Sequence, residues 1–269
     1  PGWSRDGDWT DPRKVPEGPL PIEWGRYRGL YHHGRKVVLS YEVNGCEILE
    51  LPGGISAEGA TAFTRTLHLG PSTHPQGILL CEEAGATGFV GPLGAEKGAA
   101  TGPADRIARL ISGERRNVAT VVLPPRGASW QVSKGRIHFL IPPLERPLTF
   151  RLVIANLAAS EEKKIAPLSA GPIEDVVALT KAGPAKWLQT VVTRGDIGRG
   201  EDAYALDTVA SPDDNPYGAW IRWSALDFFA DGRLAACTWD GDVWIADGVD
   251  SRLEKITWRR FATGLQQPL

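Results

Sequence analysis

The sequence contains no methionine and only three cysteines in 269 residues. Cys46, Cys81 and Cys237 are widely spaced, and the motifs Cys-x-x-Cys and Cys-x-x-Cys-His are both missing. Each cysteine lies in an apolar run, so we expect buried free thiols, and a disulfide between two of them stays open as an alternative. Because the chain lacks methionine and begins with proline, we expect a processed or trimmed piece of a longer product.

The chain also lacks an excess of charge and any long apolar run. Its net charge is −2 and its pI is about 6.3, so the composition lacks the excess of basic residues that is typical of nucleic-acid-binding proteins. No stretch approaches the roughly 20 apolar residues of a membrane span, and no signal-peptide core is recognisable. We therefore expect no nucleic-acid partner and no transmembrane segment.

Glycine and proline are abundant, with 31 and 21 residues, and their short spacing favours short strands over long helices. Residues 1–22 are rich in Pro, Gly and charge and predict an extended N-terminal arm, anchored by Trp3 and Trp9. Residues 23–160 hold about eight strand-like runs, with a hairpin at Asn44-Gly45. The sequence therefore predicts a mainly β fold that begins with a β-sandwich-like domain.

Helices are expected at two places only. The first is residues 103–114, where Ile107, Leu110 and Ile111 would share one helical face. The second is a linker over residues 161–185, where a solvated charge run that includes Glu162 precedes a short helix closed by Gly183 and Pro184. A β-rich segment over residues 186–269 follows the linker.

This last segment contains Asp-Gly three times, at Asp231-Gly232, Asp240-Gly241 and Asp247-Gly248, beside apolar, aromatic-rich runs. Asp-Gly suits the two-residue type I′ turn, in which both central residues need a positive φ. The runs around these turns predict a four-strand antiparallel meander that resembles one blade of a β-propeller. A single blade cannot bury both of its faces, so we expect the remainder of a propeller, or a partner chain, to complete it.

Tryptophan is unusually frequent, with ten residues in all. An exposed row of indoles would form a platform for sugar rings or for quinone and haem planes, whereas buried indoles would fill the wedge between blades. Trp220 and Trp223 precede the meander and are the better candidates for exposure. The candidate ligand surface that the sequence predicts comprises Trp220, Trp223, Trp239, Asp242 and Trp244.

Motifs of catalysis or metal binding are not apparent. The five histidines lack ligand spacing, and an EF-hand loop that starts at Asp240 would place Trp244 at an oxygen-ligand position. We interpret Asp242 as an outward-pointing strand residue. Glu161 and Glu162, which are adjacent to each other in the sequence, are interpreted as solvated. No nucleophile motif or phosphate loop occurs, so catalytic residues stay unknown and no metal site is expected.

Four motifs carry a family resemblance: GPAKW, DNPYGAW, CTWDGDVW and WRRFATGLQQPL. Together with GLYHHGRKVVLSYEVNGCEILELPG near the N-terminus, they are similar to large secreted bacterial proteins. In those proteins a β-rich region precedes a propeller resembling glucose/sorbosone dehydrogenases, often followed by a c-type cytochrome domain. The resemblance implies a periplasmic or extracellular location, and pyrroloquinoline quinone (PQQ) or haem c in the parent protein but no cofactor within this chain.

The leading hypothesis is therefore a structural or substrate-presenting module of a larger propeller redox protein that oxidises a sugar or a similar alcohol. The alternative is a carbohydrate-binding β-sandwich module without enzymatic activity, which would hold a glycan on the sandwich or near Trp220 and Trp223.

Overall fold

The computed structural model describes residues 2–15, 18–200 and 203–268; residues 1, 16–17, 201–202 and 269, some of which fall in the predicted arm and in the β-rich segment, lie outside this description. Strands account for 49% of the residues and helices for 5%, so the predicted mainly β fold is confirmed. The chain divides into two compact units, residues 1–183 and 184–269. The part of the chain that is described contains no helix long and apolar enough to span a membrane.

The described residues of the first unit form thirteen strands in two antiparallel sheets. In chain order they are β1 (Trp3–Arg5), β2 (Gly25–His33), β3 (Lys36–Val43), β4 (Cys46–Ala57), β5 (Ala60–Leu69), β6 (Gln76–Glu82), β7 (Thr87–Gly91), β8 (Thr101–Pro103), β9 (Ile107–Ser112), β10 (Arg115–Val122), β11 (Ser129–Ser133), β12 (Arg136–Ile141) and β13 (Leu148–Ala158). One sheet has the order β2-β3-β4-β5-β13-β10-β9-β7, and the other has the order β1-β6-β12-β11-β8. Neither sheet closes on itself within the described residues.

A single hydrophobic core draws buried side chains from both sheets. Trp130 and Phe139 come from the five-stranded sheet, and Leu67 and Phe150 come from the eight-stranded sheet. The rings of Trp130 and Phe139 lie 4.6 Å apart between their centroids, and those of Phe139 and Phe150 lie 5.7 Å apart. The two sheets therefore bury one shared apolar layer, as the alternation of apolar residues along their strands requires.

The N-terminal arm is tied to the first unit at both of its tryptophans. Strand β1 pairs with β6, with Trp3 opposite Ile78. The Trp3 ring packs edge-on against Tyr41, with 6.0 Å between centroids, and the Trp9 ring stacks on the buried His138 at 4.2 Å. The beginning of the arm is thus a strand of the five-stranded sheet.

The helix predicted at residues 103–114 is wrong, because residues 107–112 form strand β9. β9 pairs with both β10 and β7, and its residues 107–110 are all buried. The spacing of Ile107, Leu110 and Ile111 imitates a helical face only because both faces of this strand are covered.

The opposite face of the eight-stranded sheet is covered by the segment after β13. A 3-10 helix (Ala159–Lys164) continues into α1 (Ile165–Ser169), and Ile165 and Leu168 pack against Val118 and Val153. The short helix expected near residue 180 is a single 3-10 turn (Ala178–Thr180). Residues 161–183 therefore pack within the first unit.

The charge run at residues 160–164 was predicted to be solvated, and this prediction is wrong for Glu162. Glu162 is only 3% exposed and accepts hydrogen bonds from Arg109 Nη2 at 2.6 Å and from Arg116 Nη1 at 2.7 Å. Its neighbour Glu161 is exposed to solvent and pairs with Lys164. One member of the Glu-Glu pair therefore faces the protein and the other faces water.

In the second unit, the residues that the structure describes form a five-stranded antiparallel sheet and a two-stranded one. Its strands are β14 (Thr190–Thr193), β15 (Gly195–Asp196), β16 (Thr208–Val209), β17 (Trp223–Phe228), β18 (Leu234–Thr238), β19 (Val243–Asp247) and β20 (Ile256–Ala262). Strands β17 to β20 pair consecutively as the predicted meander, and β14 adds a fifth strand beside β20. Strands β15 and β16 form the small sheet.

The Asp-Gly turns differ from the predicted type I′ turns. Gly232 and Gly241 have positive φ values of 84° and 95°, but the aspartates before them do not. The Phe229 N–H donates to the Arg233 carbonyl and the Gly232 N–H donates to the Phe229 carbonyl, which closes a three-residue loop; the β18–β19 loop is built in the same way. Three-residue hairpin loops need one left-handed residue, and glycine supplies it.

The hairpin predicted at Asn44-Gly45 is confirmed, and both residues have positive φ values, 47° and 74°, as in a type I′ turn. This turn joins β3 directly to β4, with Val43 opposite Cys46. Asn tolerates the left-handed conformation better than most residues, which is why Asn-Gly is a strong hairpin signal.

Candidate functional site

An exposed aromatic surface lies beside the β18–β19 turn of the second unit. We call it the Trp220–Trp239 surface; its members are Trp220, Arg222, Trp239 and Asp240. The two indoles are 67% and 51% exposed. Such large apolar exposure marks candidate contact surfaces when the side chains are held in place by their neighbours.

The arrangement of this surface is fixed by Arg222. Its guanidinium lies over the Trp220 ring, 4.2 Å from the centroid, and its Nη2 donates to Asp240 Oδ1 at 3.0 Å. Its backbone carbonyl accepts the Trp239 N–H at 2.9 Å. The guanidinium covers one face of the Trp220 ring, and the large exposure of both indoles leaves apolar surface open to a ligand.

The three remaining residues of the predicted ligand surface lie largely or wholly inside the second unit. Trp244 is fully buried, and Asp242 is 4% exposed. Trp223 is half-buried and stacks on Trp258, with 5.3 Å between centroids, while its N–H donates to Ser211. The structure therefore brings Trp220 and Trp239 to one surface and leaves Trp223, Trp244 and Asp242 in or beside the core.

The prediction that Asp242 points outward is wrong. Its Oδ1 accepts a hydrogen bond from Arg260 Nη2 at 2.6 Å, and its N–H donates to Thr238 Oγ1. The Arg260 guanidinium also lies over the rings of Trp187 and Tyr217, at 5.5 and 5.3 Å from their centroids. Asp242 therefore neutralises an arginine between two aromatic rings.

Sequence reasoning missed Arg222, Asp240 and Arg260. Two of them had a signal: Arg222 lies two residues after Trp220, and Asp240 directly follows Trp239, so both stood next to aromatics already singled out. Arg260 stands in a Trp-Arg-Arg run, but only strand pairing shows that it shares a face with Trp244. Residue spacing within one strand cannot show that a charged residue lies opposite a buried indole on the neighbouring strand.

A separate cavity of about 550 Å³ opens in the first unit, and we call it the Asn44 cavity. It is lined by Glu23, Asn44, Gly45, Pro71, Ser72, Thr73, His74, Leu144 and Glu145. Its volume lies within the range of small-molecule sites. The lining comes from four separate stretches of chain, so no local motif could have predicted it.

Hydrogen bonds hold the polar lining of the Asn44 cavity in place. Asp6 Oδ1 lies 3.1 Å from His74 Nδ1 and accepts a hydrogen bond from Asn44 Nδ2 at 3.2 Å. Ser72 Oγ donates to the His74 carbonyl and accepts from Gln76 Nε2 at 2.9 Å. The arm residue Asp6 thus orients two side chains that face the cavity.

Neither Cys46 nor Cys81 supplies an activated nucleophile. All three cysteines are free thiols; Cys46 is fully buried, whereas Cys81 and Cys237 are half-buried. Burial raises the pKa of both Cys46 and Cys81 to about 11, so these thiols stay protonated at neutral pH. Across the described ranges, no cluster of three or more His, Cys, Asp or Glu side chains is arranged to hold a metal ion.

Comparison with known proteins gives one match. A family described as a domain of unknown function, DUF6797, matches residues 1–50. No curated protein and no solved structure matches the chain. The matched stretch contains the arm, β2, β3 and the first part of β4, up to Glu50, which pairs with β3, and it contributes Glu23, Asn44 and Gly45 to the Asn44 cavity.

Proposed function

We propose that this chain is a structural or substrate-presenting module of a larger extracytoplasmic redox protein similar to the glucose/sorbosone dehydrogenases. In this proposal the first unit is a β-sandwich, and strands β17–β20 are one blade of a β-propeller. PQQ or haem c would be carried elsewhere in the parent protein. The sequence of this chain does not fit haem c, because the Cys-x-x-Cys-His needed for thioether attachment is missing.

The sandwich assignment is supported by the shared core of the first unit. Residues from both sheets, such as Leu67 and Phe139, contribute to one apolar cluster. Two antiparallel sheets that bury their inner faces against each other are the defining feature of a β-sandwich.

The observation that carries the proposal is an apolar edge at β17. Leu226 and Phe228 lie opposite Ala236 and Leu234, so they project from the same face of the sheet as these buried residues. They are nevertheless 65% and 53% exposed. The core of the second unit therefore continues to the surface at this edge.

The backbone of β17 is open as well. No described strand pairs with its outer side, where the sheet order ends. An open edge next to exposed apolar side chains is a template for another strand or sheet. Covering the two side chains would stabilise the assembly by about 2–4 kcal/mol, given about 1.5–3 kcal/mol for each fully buried side chain of this size and their present partial burial.

Amide hydrogen exchange tests this proposal. The β17 amides should exchange slowly in the product of the whole gene and faster in the 269-residue chain alone. Substituting Leu226→Ser together with Phe228→Ser should restore fast exchange in the whole product. Leu188→Ser is the matched control, because Leu188 is 79% exposed and lies outside the sheet. Equal exchange of β17 in both proteins, or a gene with no further strand-rich segment, would contradict the proposal.

A second candidate, carbohydrate binding, is supported by the Trp220–Trp239 surface. Two exposed indoles, one of them stacked against the Arg222 guanidinium, can stack against the apolar faces of pyranose rings. In affinity gels that contain a polysaccharide, we expect retardation of the wild type and its loss in Trp220→Ala and Trp239→Ala. Tyr204→Ala is the control, since Tyr204 is 90% exposed and is not part of this surface. No retardation by any polysaccharide would remove this candidate.

A further inference from the structure

The N-terminal arm closes one edge of the five-stranded sheet and contacts both faces of this sheet. Its strand β1 pairs with β6, and Trp3 packs against the shared core of the first unit. The chain then reverses at Asp6-Gly7, where both residues have positive φ values of 51° and 84°, and Arg5 and Asp8 exchange two backbone hydrogen bonds. After this turn the chain returns to the sheet, and Trp9 lies on the face that Trp3 does not occupy.

The residue beneath the Trp9 ring is His138 of β12. Its neighbours Ile137 and Phe139 belong to the shared core, so the imidazole projects from the outer face of the sheet. His138 is only 5% exposed, and its ring centroid lies 4.2 Å from that of Trp9. A Cβ at Gly77 would lie 3.0 Å from the Trp9 ring, so glycine at this position allows the arm to lie close to the sheet.

The buried imidazole lacks hydrogen bonds. Neither ring nitrogen of His138 has a partner among the residues that the structure describes. A neutral imidazole leaves one N–H and one lone pair unsatisfied here, whereas an imidazolium would leave two N–H donors and a buried charge. Without the arm, water would reach both nitrogens. Protonation of His138 and docking of the arm therefore oppose each other, and by linkage each weakens the other to the same extent.

The charges around His138 do not offset its burial. Burial is the largest cause that lowers the pKa of His138, and the charge of Arg136 on the same strand lowers this pKa further, whereas Glu82 on β6 raises it. Glu82 is itself paired with Arg136 at 2.8 Å. The arm contributes Asp8, whose carboxylate accepts a hydrogen bond within the arm, and β11 contributes the uncharged Gln131 opposite His138.

We propose that the N-terminal arm is a pH-sensitive strap, which lies on the five-stranded sheet while His138 is neutral and detaches when His138 takes up a proton. Detachment hydrates both ring nitrogens and removes Trp3 and Trp9 from the sheet. It also leaves β6 as an open edge, because β1 is the end strand of this sheet. The strap belongs to the first unit, so it depends neither on the docking of β17 nor on the Trp220–Trp239 surface.

A second histidine acts on the arm in the opposite sense. His74 Nδ1 lies 3.1 Å from Asp6 Oδ1, at the turn of the arm. A positive charge on His74 would strengthen this contact. The two side chains are 54% and 50% exposed, so the gain is only that of a surface ion pair. The buried His138 therefore dominates the response of the arm to acid.

Hydrogen exchange of the full chain, followed by NMR and corrected for the intrinsic effect of pH, tests the proposal. The Leu79 N–H of β6 donates to the Gly2 carbonyl at 3.0 Å, so its protection reports whether the arm is docked. The released state binds the proton more readily, with the ordinary histidine pKa of about 6.5, so docking is strongest above this pH and weakens below it. The protection of Leu79 should fall by up to about tenfold between pH 7.5 and pH 5.5, as the uptake of one proton predicts.

Three variants separate the contributions of the histidines. His138→Phe keeps a ring beneath Trp9 but cannot take up a proton, so the corrected protection of Leu79 should be equal at the two pH values. His32→Phe is the matched control, because His32 is exposed on β2, and it should behave as the wild type. His74→Gln should enlarge the fall in protection, since it removes the contact that opposes release in acid.

Urea at concentrations below the unfolding transition distinguishes release of the arm from unfolding of the whole unit. Release exposes little surface, so the exchange of Leu79 should hardly respond to urea, whereas exchange of the β13 amides should accelerate steeply. Equal exchange rates of Leu79 and β13 with the same urea dependence would overturn the proposal, because the arm would then leave only on global unfolding. An equal pH response of Leu79 in the wild type and in His138→Phe would also overturn it.

Discussion

Replacing Glu162 with glutamine should destabilise the first unit, although the two side chains have nearly the same shape. The Glu162 carboxylate accepts four hydrogen bonds: from Arg109 Nε at 3.0 Å and Nη2 at 2.6 Å, from Arg116 Nη1 at 2.7 Å, and from the Gly94 N–H at 3.2 Å. Arg109 has no exposed side-chain surface. A neutral amide would leave its guanidinium buried without a counter-charge, and would turn an N–H group toward N–H donors.

Glu162→Gln should lower the free energy of unfolding by about 3 kcal/mol. This value is at the lower end of the range for breaking a buried ion pair, because Arg116 keeps partial solvent access and its contact with Glu96. In a unit of 183 residues, 1 kcal/mol shifts the melting temperature by roughly 2–4 °C, so Glu162→Gln should lower it by about 6–12 °C. Calorimetry or circular dichroism in the strand region measures this shift.

The acid side of the stability curve gives an independent readout. Burial pushes the pKa of Glu162 upward, but the hydrogen bonds from Arg109 and Arg116 outweigh burial and hold the pKa below its ordinary value. The unfolded chain therefore takes up the proton first as the pH falls. The stabilisation by Glu162 is complete above about pH 5 and is lost as the pH falls below about 4. The free energies of unfolding of the wild type and of Glu162→Gln should therefore approach each other below about pH 4.

Glu161→Gln is the control, because Glu161 is adjacent and exposed and pairs only with Lys164. Its melting temperature should stay close to that of the wild type. If Glu162→Gln also melted within about 2 °C of the wild type, the buried network would not carry the stability assigned to it.

Two further predictions concern a buried imidazole and a tight turn. Burial and, to a smaller extent, the charge of Arg136 lower the pKa of His138, so the free energy of unfolding should fall as the pH drops below about 6.5. Urea unfolding at pH 7.5 and pH 5.5 should show a smaller difference in this free energy for His138→Phe than for the wild type. An equal difference in the two proteins would contradict this reasoning. Gly232→Ala should cost about 1–2 kcal/mol for its positive φ alone, whereas Gly241→Ala should cost more, because its new Cβ would overlap the Leu265 carbonyl oxygen. Equal losses in chemical denaturation would refute that difference.

Several features of the fold follow from local sequence. Alternating apolar residues and dense glycine and proline predict short antiparallel strands, and Asn44-Gly45 predicts its own turn, because both φ values depend on local sterics. The order β17 to β20 follows in the same way, since short loops force neighbouring strands to pair. Short-range geometry is sufficient for these features.

The candidate sites could be predicted only in part. The position before the meander predicts exposure of both Trp220 and Trp223, but only Trp220 is exposed, because Trp223 stacks on Trp258. The burial of Asp242 depends on Arg260, which lies 18 residues away on β20. The Asn44 cavity gathers residues that lie between Glu23 and Glu145 in the sequence. Neither arrangement leaves a pattern within one stretch of chain.

The amino-acid sequence by itself determined that this protein is mainly β, where many of its turns lie and which of its strands form the meander. Tertiary structure alone decided that residues 107–112 are a strand, that Glu162 is buried while Glu161 is not, and that Trp220 and Trp239 share a surface while Trp244 does not. The physical reason is that turn and strand preferences act between near neighbours. Burial and charge pairing depend on which distant segment packs against each side chain.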